Sequence, residues 1–116
     1  MKLLVCGGRD VRDASLVFAA LSKANRKRPV TELIHGGARG ADSIAGIWAK
    51  ENDVPCTVFM ADWSVGKSAG PQRNQRMLDE GHPDGVVAFP GGSGTADMLR
   101  RAEAASVPVW RVSGGN

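Results

Sequence analysis

At 116 residues, 42% of them hydrophobic and 23% charged, the chain is long enough for one domain with one core and balanced like a soluble globular protein. A formal net charge of +3 and a sequence pI of about 9.2 permit an acidic small molecule or a nucleic-acid contact and require neither. No apolar run approaches bilayer-spanning length, and Met1–Cys6 is too short for a secretory leader, so the expectation is a cytoplasmic protein with no membrane contact.

Five short apolar runs alternate with helical patterns. The first run, Lys2–Cys6, predicts a strand. Ala14, Val17, Phe18 and Leu21 then share one helical face, and Arg26-Lys27-Arg28 closes that helix where its dipole favours cations. A second strand is predicted at Thr31–His35, followed by a helix with Ala41, Ile44, Ala45 and Trp48 on one face. A third strand, Cys56–Met60, leads into Ala61–Ala69, the longest connection without obvious structure. A helix follows over Arg73–Glu80, then a strand at Gly85–Phe89, a helix from near Ala96 to Ala105, and a last strand at Val107–Val112. Pro29, Pro55 and Pro108 fall at or near the strand starts. Cys6 and Cys56 both lie in predicted strands and read as reduced, buried small hydrophobes; with only His35 and His82 to join them, no metal site and no cofactor are implied.

This βαβα order predicts a three-layer Rossmann-like α/β domain, with a mostly parallel sheet of about five strands, over residues 1–112 and a loose tail at 113–116. In such a sheet every strand-to-helix turn emerges at the carboxyl edge, where ligands of open α/β sheets bind. Three glycine turns fall there: Gly7-Gly8-Arg9-Asp10, Gly36-Gly37-Ala38-Arg39-Gly40 and Gly91-Gly92-Ser93-Gly94-Thr95. The last joins an apolar strand to a helix, an arrangement that aims backbone N–H groups and a helix dipole at an anion, most often a phosphate.

The polar residues around these turns each admit two readings. Thr95 caps the last long helix or reaches a phosphate oxygen, and Ser93 is placed similarly. Asp97, in the first helical turn, is favoured there by the dipole or contacts a ribose hydroxyl or does acid–base work. Asp42 caps its helix or faces the ligand, and Arg39 can swing over the ligand edge. His35 is a satisfied half-buried histidine or a ligand group, and His82 reads as a surface turn residue. Arg73 and Arg76 share a helical face around Asn74 and either complete an anion pocket or pair with Asp79 or Glu80. Trp63, ahead of Lys67, lies over a base or packs its loop onto the core; Arg9 and Asp10 either line the site or pair with each other.

Taken together, Val5–Asp10, His35–Asp42, Ala61-Asp62-Trp63 with Gly66-Lys67, Ala69–Asn74 and Phe89–Asp97 resemble the SLOG superfamily, and within it the YspA/cpYpsA-related branch. The resemblance spans nearly the whole chain in five ordered motifs. It implies a Rossmann-like fold with a site for nucleotides or nucleotide-derived ligands. The superfamily includes the LOG phosphoribohydrolases, which split a nucleoside monophosphate into free base and ribose 5-phosphate, a DNA-processing relative that binds single strands, and domains proposed to sense nucleotides. The LOG enzymes carry Pro-Gly-Gly-x-Gly-Thr-x-x-Glu. Here Pro90–Thr95 match, but Met98 stands at the glutamate position, and Asp97 is the nearest acid, about 100° around the helix. Arg73 and Met77 match a second LOG pattern, in which Asn74 replaces a lysine. The expectation is therefore a nucleotide-binding domain with phosphate on the Gly91–Thr95 turn, Arg73 and Arg76 neutralising charge, and Gly7–Asp10 and Gly36–Asp42 walling the sugar and base. N-glycosidic hydrolysis through Arg73 and Asp97 is the alternative, and single-stranded nucleic-acid binding a second. A homo-oligomer is expected from the open sheet edges.

Overall fold

The computed structural model describes residues 1–113; the loose-tail expectation for residues 114–116 lies outside the described residues. The elements run β1 (Lys2–Cys6), α1 (Ala14–Lys27), β2 (Glu32–His35), α2 (Ala41–Glu51), β3 (Cys56–Val58), a 3-10 turn (Trp63–Val65), α3 (Ala69–Asp79), β4 (Gly85–Ala88), α4 (Ser93–Ala104) and β5 (Val109–Arg111). All strand pairings are parallel, in the order β3-β2-β1-β4-β5. This is a Rossmann-like α/β fold, as the alternation predicts.

The period-2 alternation of side chains along β1 divides the core in two. Leu3 and Val5 face α1 and α2, joining Val17, Leu21 and Trp48. Leu4 and Cys6 face α3 and α4, joining Ile34, Met77, Met98 and Ala102. Asp13 caps α1 by accepting from the Leu16 N–H (3.0 Å), and Arg26 and Lys27 occupy its last turn, where the dipole favours them. Trp48 donates through Nε1 to Ser22 Oγ (3.0 Å), which ties α2 to α1.

Element boundaries differ from expectation in informative places. The helix expected from near Ala96 begins at Ser93 with Gly92 at its N-cap, so Ser93, Gly94 and Thr95 form the first helical turn and Thr95 caps nothing. Asp97 accordingly lies one turn further in. The helix expected from Arg73 begins at Ala69, with Pro71 in the first turn, where a missing N–H costs no helical bond. The outer strands are short. β3 is exposed throughout, and Cys56, expected to be buried, is exposed because β3 is an edge strand with little covering it. Cys6, on central β1, is buried as expected. Among the described residues no helix is long and apolar enough to cross a membrane.

Candidate functional site

The turns after β1, β2 and β4 meet at the carboxyl edge of the sheet because those three strands are neighbours. They interlock through backbone. The Gly8 N–H donates to the Pro90 carbonyl (2.8 Å), and the Gly8 carbonyl accepts from the Ala41 N–H (3.3 Å). A Cβ at Gly8 would lie 2.8 Å from that Pro90 oxygen and 3.1 Å from Gly91 Cα. Gly40 has φ +83 and sits against the Gly8 carbonyl, so both its conformation and its surroundings exclude a side chain.

Over these turns lies a cleft of about 960 Å³, toward the upper end of the range for small-molecule sites. The first turn contributes Gly7, Gly8, Arg9 and Asp10; the third contributes Gly91, Gly92, Ser93, Gly94 and Thr95. Asp42, Asn74, Trp63, Lys67, Arg73 and Asp97 also line it. A smaller cleft of about 340 Å³ shares Arg9, Ala38, Trp63 and Arg73 with the first and is lined further by Gly36, Gly37 and Arg39. Gly40 supports the floor without lining either cleft. Arg76 lines neither: its guanidinium lies 5.5 Å from the Phe59 ring centroid and pairs with Glu80 at 3.5 Å. Its face of α3 turns away from the cleft that Arg73 faces.

The three turns differ in what their N–H groups already hold. In the second turn the Gly36 and Ala38 N–H groups donate to Asp42 Oδ2 (3.0 and 3.3 Å), and the Gly37 N–H donates to His35 Nδ1 (2.9 Å). That turn is an anion nest filled by the chain's own carboxylate. The Nδ1 acceptor fixes the His35 proton on Nε2, and burial together with nearby Arg73 lowers the imidazole pKa, so His35 is a neutral support of this turn. Gly8 is committed to Pro90, as above. Arg9 and Asp10 in the first turn and Arg39 and Gly40 in the second have free N–H groups, but the third turn has the longest run: the Gly91, Gly92, Ser93, Gly94 and Thr95 N–H groups have no acceptor among the described residues, and no side chain caps α4. Cβ atoms at Gly92 or Gly94 would meet nothing within 4 Å.

Behind this turn a polar chain fastens α3 to α4. Arg73 donates through Nη1 to the Gly36 carbonyl and through Nε to Asn74 Oδ1 (3.1 Å). Buried Asn74 donates to Asp97 Oδ2 (3.0 Å) and to the Gly94 carbonyl (3.2 Å). Asp97 also accepts from Arg101 (2.8 Å) and pairs with Arg100 (3.5 Å), while Arg101 reaches Gln75 Oε1 (2.9 Å). Desolvation pulls the Asp97 pKa upward, but its bonds to Arg101 and Asn74 and the two cations outweigh it, leaving the carboxyl below its ordinary value. Asp97 is an ionised clamp. Arg100 and Arg101, which hold it from i+3 and i+4, were not singled out in the sequence, although that spacing is a signal for ion pairing.

Asp42 is in a different state. Its residue is 6% exposed, and burial pushes the carboxyl up to about 6, against the lowering effect of the Ala38 and Gly36 N–H bonds and of Arg73. Oδ2 carries both N–H bonds, whereas Oδ1 has no partner among the described residues. Since no buried side-chain oxygen or nitrogen is left unpaired among those residues, Oδ1 opens on the cleft that Asp42 lines. Cys6, below it, is pushed up to about 12 by burial and by Asp42, so the thiol is inert. At the rim, Trp63 is 55% exposed and does not pack onto the core. Asp62 holds its 3-10 turn by accepting from the Ser64 N–H (3.1 Å), and Arg9 lies over the indole, 5.9 Å from its centroid, making no ion pair with Asp10 among the described residues.

A family model for the YspA, cpYpsA-related SLOG family matches residues 1–66. Gene 61 protein of Mycobacterium phage D29 is 38% identical over 117 residues, covering 93% of each chain. Among solved structures, Acinetobacter baumannii MurG is similar with a TM-score of 0.59 over 97% of this chain and 36% of that one, at 13% identity, a likeness of fold alone. With the family model covering more than half its length, the chain belongs to the YspA, cpYpsA-related SLOG family.

Proposed function

We propose that this chain binds a nucleotide or nucleotide-derived ligand at the carboxyl edge of its sheet. The phosphate sits on the Ser93, Gly94 and Thr95 N–H groups at the start of α4, and the base lies toward Trp63. One observation carries this reading: of the three converging glycine turns, this one keeps the longest run of N–H donors without a protein acceptor, five in succession leading into a helix N-terminus. An oriented set of amides at a helix N-terminus favours an anion through both its hydrogen bonds and its dipole. Arg9, Lys67, Arg73 and Arg100 add four cations to the lining against the three carboxylates Asp10, Asp42 and Asp97, two of which are engaged with protein donors. Exposed Trp63, with Arg9 already over one face, offers a planar surface to a base.

Binding, rather than hydrolysis, is the activity that the geometry supports. Asp97 is held by Asn74, Arg100 and Arg101, and neither a water-directing nor an acid role fits a carboxylate so engaged. Isothermal calorimetry against AMP, ADP-ribose, NAD, cyclic nucleotides and ribose 5-phosphate tests the proposal. Saturable binding by at least one phosphate-bearing member, weakened by competing inorganic phosphate, is expected. Silence across the panel would count against it.

A further inference from the structure

Resting on the nucleotide reading above, we infer that Asp42 is a hydroxyl reader: its Oδ1 accepts a hydrogen bond from the ribose 2′- or 3′-hydroxyl, so that the site selects ribonucleotides over sugars lacking that group. Asp42 is more than nine-tenths buried, lines the main cleft and has one carboxylate oxygen without a protein partner. That oxygen opens on the cleft, where it is free to accept from water or a ligand donor. The occupant is a donor, because an ionised carboxylate can only accept. It is a neutral donor, because Arg73 already supplies a positive charge beside Asp42.

Position identifies which part of the ligand supplies that donor. Asp42 follows β2 and the free N–H groups follow β4, and these strands flank β1 on either side. Two strand spacings, about 9.6 Å, separate them, a width that a phosphate and its own sugar span together. Trp63 stands at the rim, beyond the sugar. Asp42 is also held rigidly: its Oδ2 is fixed by the Gly36 and Ala38 N–H groups, which leaves Oδ1 oriented in advance. Asp97, the acid nearest in sequence to the phosphate turn, lacks this freedom.

The test compares AMP with 2′-deoxy-AMP, 3′-deoxy-AMP and 2′,3′-dideoxy-AMP by calorimetry, on the native chain and on Asp42→Asn. A hydrogen bond to a charged acceptor predicts that AMP binds the native chain at least about 10-fold more tightly than the dideoxy analogue. Whichever single deoxy analogue loses that affinity names the hydroxyl. In Asp42→Asn the gap between AMP and dideoxy-AMP narrows severalfold, because the charged acceptor becomes a neutral amide. Equal binding of AMP and dideoxy-AMP to the native chain overturns the inference and leaves the nucleotide reading standing; so does an Asp42→Asn protein that keeps the gap. If no member binds, ribose 5-phosphate included, the nucleotide reading fails and takes the inference with it. The native-chain comparison needs no variant, so a poorly folded Asp42→Asn protein does not spare the inference.

Discussion

Replacing Gly94 with alanine separates the stability of α4 from the seat for phosphate. Gly94 is the second residue of α4, and a Cβ there would meet nothing within 4 Å. Its carbonyl bond from Asn74 is a backbone contact that the change leaves intact. In a helix interior alanine is favoured over glycine by roughly 0.5–1 kcal/mol, and part of that gain should reach this first-turn position. Gly94→Ala therefore melts at the native temperature or a few degrees above it, since about 1 kcal/mol corresponds to roughly 4–8 °C for a domain of about this size. Ligand binding moves the other way. A helical Cβ leans toward the N-terminus, so the new methyl group enters the space over the Ser93, Gly94 and Thr95 N–H groups. Displacing a phosphate from even one charge-assisted hydrogen bond costs about 1.5 kcal/mol or more, at least about 10-fold in affinity. Thermal melting and calorimetry with AMP read the two effects on one sample. A stable Gly94→Ala protein with native affinity would refute the phosphate seat at α4.

Asp42 makes the site pH-sensitive. Its folded pKa, about 6, exceeds the ordinary 3.8, so the folded chain holds this proton more tightly than the unfolded chain does. The stability linked to that proton is present at low pH and is lost as pH rises from 3.8 to about 6, by roughly 3 kcal/mol. Urea titrations at several pH values should show that slope in the native chain and not in Asp42→Asn. Of the groups facing Asp42, Cys6 is pushed up to about 12 and Arg73 stays cationic, so neither titrates in this range. His35, pushed down from 6.5, adds a slope of opposite sign below 6.5, and the difference between the native chain and Asp42→Asn isolates the Asp42 contribution. Asp97 behaves oppositely. Its folded pKa is depressed, so its contribution is present above 3.8 and lost as pH falls through the folded value. Asp97→Asn should lower stability by about 1–3 kcal/mol at pH 7, with the deficit shrinking in acid; a large loss of ligand affinity at unchanged stability would show instead that Asp97 is a ligand contact. Gly40→Ala should destabilise by about 2 kcal/mol or more in the same titrations, because φ +83 and the Gly8 carbonyl both exclude the methyl group.

Much of this architecture is written in local pattern. Continuous apolar runs such as Leu3–Cys6 and Val86–Ala88, each ending in glycine or Pro-Gly, mark central parallel strands and put three turns on one edge. What local pattern omits is rank in the sheet: nothing near Cys56 says that its strand is an edge and its thiol exposed. The start of α4 was hidden because Gly92 supplies no side-chain cap and two glycines surround Ser93. The difference between the three glycine turns depends on Asp42 folding back on Gly36 and Ala38, a contact made in three dimensions from inside the next helix. The same applies to Asp97, whose partners Asn74 and Arg101 come from two different helices.

The most direct measurement of the central claim is a titration of the ¹⁵N-labelled chain with AMP, followed by amide nuclear magnetic resonance. The account predicts the largest shifts at the Ser93, Gly94 and Thr95 amides and small ones at Gly36, Gly37 and Ala38, whose N–H groups already hold Asp42 and His35. Shifts concentrated at Gly36–Ala38, with the start of α4 unmoved, would contradict it.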